Sequence, residues 1–236
     1  MTPPPVQHFI ILGATGPTGT MVTPRLIAMG HPVTAIMRSE TRRAEFEALG
    51  AKVALADALD RDSLFPTLES AATGNVTVLN LLGGNPFMEP ATWPDLTGVV
   101  NTTDAAVAAG ISRYILVTSV GTGESWQYVP KDAYIRPILE LKTQAEAHLK
   151  STGLNWTIIK PGGLGPPDFR IQRGNPTITQ NHGIRGLIDR EDLADVILRV
   201  VTAPPEQLRH RELYAVVDQI EHHDGEPEPF PLPELT

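Results

Sequence analysis

The chain contains no cysteine, and its acidic residues outnumber its basic ones. The absence of cysteine excludes disulfide bonds, thiol catalysis and zinc sites with cysteine ligands. With 27 acidic and 19 basic residues, the formal net charge is −8 at pH 7. Nucleic-acid binding requires a basic surface. We therefore expect no nucleic-acid partner, although an anionic small molecule needs only a local positive charge.

Long hydrophobic runs are also absent. The longest, such as residues 76–82, have the length of a strand, far below the roughly 18 residues that suggest a membrane helix. Residues 1–5 contain neither the basic segment nor the apolar stretch of a signal peptide. The sequence thus predicts a soluble, cytoplasmic protein without a membrane segment.

Short apolar runs alternate with longer helical stretches through the first 200 residues. The strand candidates are almost continuously apolar, as expected when both faces of a parallel sheet are covered. Six repeats of strand and helix predict an α/β fold, with a doubly wound parallel sheet of the Rossmann type. The predicted strands are 9–12, 33–37, 52–55, 76–82, 114–118 and 156–159, and the predicted helices are 18–29, 41–49, 61–71, 91–109, 137–151 and 190–202.

The region after Pro161 has a different composition. Residues 161–187 are rich in glycine and proline, which we interpret as a small C-terminal cap on the substrate side of the sheet. Residues 212–217 resemble one late strand, so residues 1–220 form a single predicted domain. Residues 221–236 are rich in proline and glutamate and predict a flexible tail. His222 and His223 lie in that tail without an ordered third ligand, so we predict no metal site.

A glycine-rich loop follows the first predicted strand directly and leads into a helix. In this context Gly13 permits a tight turn, Gly16 lets the backbone approach a pyrophosphate, and Gly19 lets the helix pack closely on the sheet. The free N–H groups at the helix start favour a bound phosphate. The sequence therefore predicts a dinucleotide site formed by Gly13, Thr15, Gly16, Pro17, Thr18 and Gly19.

The end of the second strand indicates which dinucleotide is bound. An NAD-specific site carries a carboxylate here, bonded to the ribose 2′-hydroxyl. This chain has Arg38 and Ser39 instead. Arg38 offers a planar fork suited to a 2′-phosphate, Ser39 a hydroxyl donor, and Arg43 additional positive charge. We predict NADPH or NADP+ as the cofactor, with Arg38 as a solvated strand-end residue being the alternative.

The Gly-x-x-Gly-x-x-Gly spacing resembles the short-chain dehydrogenase/reductase superfamily in its extended and atypical branches. The runs 116–125 and 153–164, together with 189–194, are similar to the atypical NAD(P)H-binding group, which includes biliverdin-IXβ and flavin reductases and NmrA-like proteins. The resemblance spans residues 8 to about 202.

This resemblance implies further cofactor contacts. Asp57 is expected to bind the adenine amino group, although its position would equally suit a cap for the helix that starts near Asp60. The turn after the sixth strand is expected to contact the nicotinamide carboxamide through its backbone. The full set of implied positions is Asp57, Ala58, Leu81, Leu82, Gly83, Thr118, Ser119, Lys142, Pro161, Gly162, Gly163 and Leu164.

The resemblance also assigns catalytic positions, one of which has lost its usual residue. Ser119 occupies the place of the serine that orients a substrate carbonyl. In the pattern Tyr-x-x-x-Lys-x-x-Ala-Glu, Lys142 and Glu146 match, but the tyrosine position holds Ile138. Isoleucine cannot exchange a proton, and Tyr134, one turn earlier, is not assigned the role. Lys142 is expected to hold the nicotinamide ribose; an exposed helix lysine is the alternative.

Without that tyrosine, sugar epimerisation and ordinary alcohol dehydrogenation are disfavoured. Hydride transfer to a flavin, a biliverdin-like tetrapyrrole or a quinone remains, because conjugation in the acceptor delocalises the arriving charge. The alternative is a non-catalytic NADP(H)-sensing regulatory or scaffold protein of NmrA type. A monomer or weak homodimer is expected. The residues predicted to contact a small planar aromatic substrate are Trp126, Phe169, Arg170 and Arg173.

Overall fold

The computed structural model describes residues 6–84, 89, 93–164, 171 and 173–235. Its strands are β1 His8–Leu12, β2 Val33–Met37, β3 Lys52–Leu55, β4 Val76–Asn80, β5 Arg113–Val117, β6 Asn155–Pro161, β7 Thr177–Thr179, β8 Ile184–Leu187, β9 Arg211–Val216 and β10 Asp218–His222. Eight of them form one sheet in the order β3-β2-β1-β4-β5-β6-β9-β7. Seven run parallel, and β7 is antiparallel to β9. β8 and β10 form a separate antiparallel pair.

Helices cover both faces of this sheet, which confirms the predicted α/β fold of the Rossmann type. They are α1 Gly19–Ala28, α2 Arg43–Ala48, α3 Arg61–Ala71, α4 Thr97–Ala108, α5 Arg136–Lys150, α6 Arg190–Thr202 and α7 Pro205–Leu208. Short 3-10 turns span Glu40–Arg42 and Gly123–Tyr128. Within the described residues, no helix is both long enough and apolar enough to cross a membrane.

The central strand β1 shows why the strands are continuously apolar. Its side chains alternate between two hydrophobic clusters, because successive residues of a strand point to opposite faces. Phe9 and Ile11 belong to the cluster that contains residues of α1 and α6. Ile10 and Leu12 belong to the cluster on the other face, with residues of α3, α4 and α5. Both faces of β1 are therefore removed from water, and the carboxyl ends of the parallel strands meet at one edge.

Two predicted boundaries at this edge differ from the structure. The fourth strand ends at Asn80, not at residue 82, and the Asn80 side chain accepts a hydrogen bond of 2.9 Å from the Leu82 N–H. Helix α4 begins at Thr97, whereas the prediction placed its start at residue 91, outside the described residues. The residue before a proline is disfavoured in helical conformation. Trp93 precedes Pro94, so the helix starts only after that step.

The C-terminal segment, for which the sequence predicts flexibility, packs onto the domain in the structure. The Phe230 N–H donates to the Ile178 carbonyl at 2.6 Å. Leu232 is buried in the main hydrophobic cluster, and Arg199 donates to the carbonyls of Leu232 and Pro233. A few apolar side chains thus hold this charged segment against the hydrophobic cluster of the domain.

A buried ion pair connects α5 to β6. The Lys160 ammonium lies 2.9 Å from a Glu146 carboxylate oxygen, and both side chains are essentially inaccessible to solvent. The hydroxyls of Thr118 and Thr122 donate to the other oxygen of Glu146 at 2.6 and 2.5 Å. Burial lowers the pKa of Lys160, and the charge of Glu146 opposes that effect. The carboxylate therefore has partners for both oxygens, as a buried charge requires.

We expect Glu146→Gln to reduce the free energy of unfolding by about 3 kcal/mol, because it removes the nearer of two carboxylates that balance the buried Lys160 charge and leaves Glu212, at 3.4 Å. Glu140 is exposed on the same helix and provides the control. Glu140→Gln should change stability by about 0.5 kcal/mol or less. Urea denaturation of both variants measures the difference. Equal stability of the two variants would show that the pair does not support the fold.

Candidate cofactor site

A cleft of about 580 Å³ opens at the carboxyl edge of β1, β2, β3 and β4. It lies where a doubly wound sheet binds its ligand. Its wall brings together most of the positions that the sequence predicts for a dinucleotide. These are Gly13, Thr15, Gly16, Pro17, Thr18, Gly19, Arg38, Asp57, Ala58, Leu81, Leu82, Gly83 and Leu164.

The three glycines of the loop occupy their positions for different physical reasons. Gly13 has a φ of +77°, and a Cβ there would lie 2.7 Å from the Leu81 carbonyl oxygen. A Cβ on Gly19 would lie 2.2 Å from the Gly13 carbonyl oxygen. Both glycines are required by the fold. A Cβ on Gly16, in contrast, would meet one atom within 4 Å, the Gly13 carbonyl oxygen at 3.2 Å. Glycine at position 16 therefore leaves space beside the loop that internal packing does not use.

The N-terminus of α1 is electrostatically prepared for an anion. Thr18, at its N-cap, makes no side-chain capping hydrogen bond, and the first turn contains no acidic residue. The Thr20 and Met21 N–H groups donate to the carbonyls of Gly16 and Thr18. The Thr18 and Gly19 N–H groups make no backbone hydrogen bond within the described residues, and the helix dipole places partial positive charge at them. Since these groups lie at the cleft, a phosphate would satisfy them.

Arg38 lies at the exposed end of β2 and lines the cleft. It has no hydrogen bond or salt bridge to any described residue. Arg43 differs: it pairs with Glu40 and, at 3.0 Å, with Glu47. Arg43 therefore does not provide the additional cleft charge that the sequence suggested. Ser39, the neighbouring candidate, donates its hydroxyl to Thr41 at 3.2 Å.

The structure separates the two explanations offered for Asp57. Helix α3 is capped by Asp60, whose carboxylate accepts from the Asp62 N–H at 3.1 Å. Asp57 accepts from the Leu59 N–H at 2.9 Å and lines the cleft. Asp57 is thus not the cap of α3, and it lies where an adenine-binding residue is expected.

Lys142 lies beside the cleft, next to the wall residue Gly83, and is not part of the wall itself. Its ammonium lies 2.7 Å from a carboxylate oxygen of Asp95, and it approaches Gly83, where a Cβ would be 3.8 Å away. The Lys142 side chain is 12% exposed and that of Asp95 is fully buried. Lys142 is therefore not the solvated helix lysine that the sequence left as an alternative. Asp95 was missed, because a Pro-Asp step before a helix is an ordinary helix start.

The tyrosine position beside this lysine holds a buried apolar side chain. Ile138 is 4% exposed and packs into the protein, whereas Tyr134 is 71% exposed. Tyr134 thus does not replace the tyrosine of the family pattern.

Several predicted cofactor residues lie outside the cleft wall. The Thr118 hydroxyl donates a hydrogen bond to the Glu146 carboxylate. Ser119 is half-buried, and its carbonyl oxygen lies 2.7 Å from the Thr122 hydroxyl, as an alternative acceptor to Glu146. Pro161 is the last residue of β6 and is buried. The N–H groups of Gly162 and Gly163 donate to carbonyls of neighbouring strands at 2.8 and 2.9 Å. From that turn, Leu164 reaches the cleft.

Of the predicted substrate residues, the two that the structure describes, Trp126 and Arg173, do not line the cleft. The Arg136 guanidinium lies 4.0 Å from the ring centre of Trp126, which makes Trp126 an anchor for the start of α5. Arg173 pairs with Asp192 and Asp195 on α6 at 3.4 and 3.5 Å. Phe169 and Arg170 lie outside the described residues. The cleft wall also contains residues for which the sequence predicts no role there, among them Trp93, Pro94 and Arg190.

Two glycine variants distinguish an effect on folding stability from an effect on ligand binding. Gly19→Ala should lower the free energy of unfolding by about 1–3 kcal/mol, because its Cβ collides with backbone. Gly16→Ala should keep near-normal stability and lose roughly tenfold or more in NADPH affinity, because its Cβ fills the free space beside the loop. Chemical denaturation and a fluorescence titration measure the two effects. Unchanged NADPH affinity of Gly16→Ala would contradict the assignment of this space to the cofactor.

Comparison with known proteins finds relatives that match most of the chain. The uncharacterised sugar epimerase YhfK of Bacillus subtilis is 29% identical over 198 residues, which are 80% of this chain and 85% of that protein. The anaerobilin reductase ChuY of Escherichia coli O157:H7 superposes with a TM-score of 0.75 at 26% identity, over 94% of this chain and 100% of that one. The oxidoreductase YlbE of Lactococcus lactis, at 20% identity and a TM-score of 0.69 over 89% and 90% of the two chains, shares the fold.

The family described as NAD(P)H-binding matches residues 13–204. The match begins at the glycine loop, includes Arg38 and Lys142, and extends beyond α6. The resemblance to the atypical NAD(P)H-binding group is thereby confirmed, and this chain belongs to the NAD(P)H-binding family.

Proposed function

We propose that this protein is an NADPH-dependent reductase that transfers hydride to a planar conjugated acceptor, such as a flavin, a linear tetrapyrrole or a quinone. The observation that carries the reaction class is the buried Ile138, one helical turn before Lys142 on α5, in a protein whose cleft has the features of a dinucleotide site. The cofactor positions are retained while the usual proton donor is replaced by a side chain without a titratable proton.

The residues of the cleft fit NADPH. The space beside Gly16 and the uncapped start of α1 suit the pyrophosphate. The unpaired Arg38 guanidinium suits a 2′-phosphate, which a carboxylate at this position would repel. Lys142 has donors for the hydroxyls of the nicotinamide ribose. The bound cofactor supplies the hydride, and the protein positions it.

The acceptor class follows from what Ile138 cannot do. Reduction of an isolated carbonyl produces an alkoxide, which needs a proton donor at the reacting oxygen. A conjugated acceptor spreads the arriving charge over several atoms, so solvent can protonate it. Binding and orientation are then the main tasks of the protein. The likeness to a protein named an anaerobilin reductase supports a reductase function.

The choice of cofactor is tested with two arginine variants. Arg38→Ala should weaken NADPH binding by roughly 10- to 100-fold, because a charge-assisted contact to the 2′-phosphate is lost. Its affinity for NADH, which lacks that phosphate, should not change. Arg43→Ala is the matched control and should leave both affinities as in the wild type, since Arg43 is paired with Glu40 and Glu47. Titrations monitored by fluorescence measure all four values. If Arg38→Ala binds NADPH as well as the wild type does, Arg38 does not select the cofactor.

Turnover is tested by following the absorbance of NADPH with FMN, biliverdin and a small quinone as separate acceptors. We expect oxidation above the uncatalysed rate with at least one of them. A simple aliphatic ketone is the control and should give none, because its alkoxide needs the proton donor that Ile138 replaces. Gly16→Ala should slow the reaction at limiting NADPH.

The same buried Ile138 favours a second candidate function, an NADP(H)-sensing regulatory or scaffold protein without turnover. Tight NADPH binding with no oxidation of any of the three acceptors would contradict the reductase and support this alternative. A sensor of that kind should also bind NADP+ and NADPH with similar affinities.

A further inference from the structure

Asp95 joins three segments of the chain at the Lys142 end of the cleft. One of its oxygens lies 2.7 Å from the Lys142 ammonium on α5. The other accepts the Gly84 N–H at 2.6 Å, in the segment after β4. Asp95 itself lies just before α4. Its carboxylate therefore links the segment after β4, the start of α4 and the middle of α5, and it is fully buried.

The backbone around Asp95 is shaped to receive the carboxylate. A Cβ on Gly84 would lie 2.6 Å from an oxygen of Asp95 and 2.8 Å from the Trp93 ring. Glycine at position 84 thus permits the close approach of the carboxylate to the Gly84 N–H. Removing a carboxylate from water is costly unless a cation and hydrogen-bond donors replace the water. Lys142 and the Gly84 N–H are these partners.

This pair differs from the pair of Glu146 and Lys160. Lys160 has no exposed surface, and its neighbours Glu146, Glu212 and Thr122 surround its ammonium. Lys142 keeps 12% of its side chain accessible, beside Gly83 in the cleft wall. The facing oxygen of Asp95 forms an ion pair with this ammonium without the geometry of a hydrogen bond, and an ammonium has three donors. Lys142 therefore retains donors for a ligand, while its position is fixed by a group that the ligand does not touch.

We propose that Asp95 is a positioning residue, which holds the Lys142 ammonium in place for the hydroxyls of the nicotinamide ribose. A lysine side chain has four rotatable bonds and is strongly hydrated, so without an anchor it would extend into water. With Asp95 present, the ordering of the side chain precedes cofactor binding. The proposal rests on the proposed function, since it assigns the pair to the nicotinamide half of the bound dinucleotide.

The test is a double-mutant cycle with two ligands. The variants are Asp95→Asn, Lys142→Met and the double variant. Asparagine keeps an oxygen for the Gly84 N–H and removes the charge opposite Lys142. The ligands are NADPH and adenosine 2′,5′-bisphosphate, which contains the adenosine half and lacks the nicotinamide ribose. Unfolding by urea is measured in parallel, so that a loss of folding is recognised.

We expect Asp95→Asn and Lys142→Met each to weaken NADPH binding by roughly tenfold, and the double variant to be no weaker than Lys142→Met, because both changes remove the same contact. Affinity for adenosine 2′,5′-bisphosphate should stay within about twofold of the wild-type value in all variants. A merely structural role of Asp95 would instead weaken both ligands together.

The outcomes separate this proposal from the proposed function. If the wild type does not bind NADPH, both are overturned. If the wild type binds NADPH but the two substitutions act additively, or if the bisphosphate weakens as much as NADPH does, the positioning role alone is overturned. Should Asp95→Asn not fold, Lys142→Met still decides: equal losses for the two ligands, or no loss for NADPH, would overturn the proposal.

Discussion

The ion pair between Glu146 and Lys160 fixes helix α5 against β6, and the geometry of the cleft depends on where α5 lies. Glu146 is one helical turn beyond Lys142 on α5. The ion pair that fixes Glu146 therefore also fixes the position of Lys142 along and around the helix axis. Both charges are buried, and the hydroxyls of Thr118 and Thr122 complete the hydrogen bonds of the carboxylate. Such a pair tolerates little displacement, because a small separation leaves a charge without water and without a partner.

The cleft obtains its cationic character locally, within a chain of net charge −8. At one end is Arg38, free of carboxylates among the described residues. At the other is Lys142, whose counter-ion Asp95 lies beneath it and is shielded from solvent. The uncapped start of α1 lies between these ends in the same wall. An extended anion with phosphates at one end and sugar hydroxyls at the other matches this arrangement better than a compact one.

The predicted residues that line the cleft are those whose positions follow from short sequence motifs and from the strand order. The glycine loop is contiguous, and the requirements at Gly13 and Gly19 arise from backbone atoms within the loop and from Leu81 nearby. Arg38 and Asp57 are found because the carboxyl ends of parallel strands meet at one edge. For two predicted substrate residues, the structure shows contacts that the sequence does not indicate. Arg173 pairs with α6 and Trp126 stacks with Arg136, and neither contact leaves a pattern in the sequence.

The sequence by itself determined the alternation of strands and helices, the phosphate loop and the loss of the tyrosine at Ile138. These are short-range features, set by hydrophobic periodicity and by residue types at fixed spacing. Tertiary structure decided which charged groups remain available. The fold pairs Arg43 with Glu40 and Glu47 and leaves Arg38 without a salt bridge among the described residues. It also pairs Lys142 with Asp95, a residue that no motif marks. The reason is physical: whether a charged side chain can meet a ligand depends on the counter-charges that the fold brings within a few ångströms of it, and spacing along the chain does not specify them.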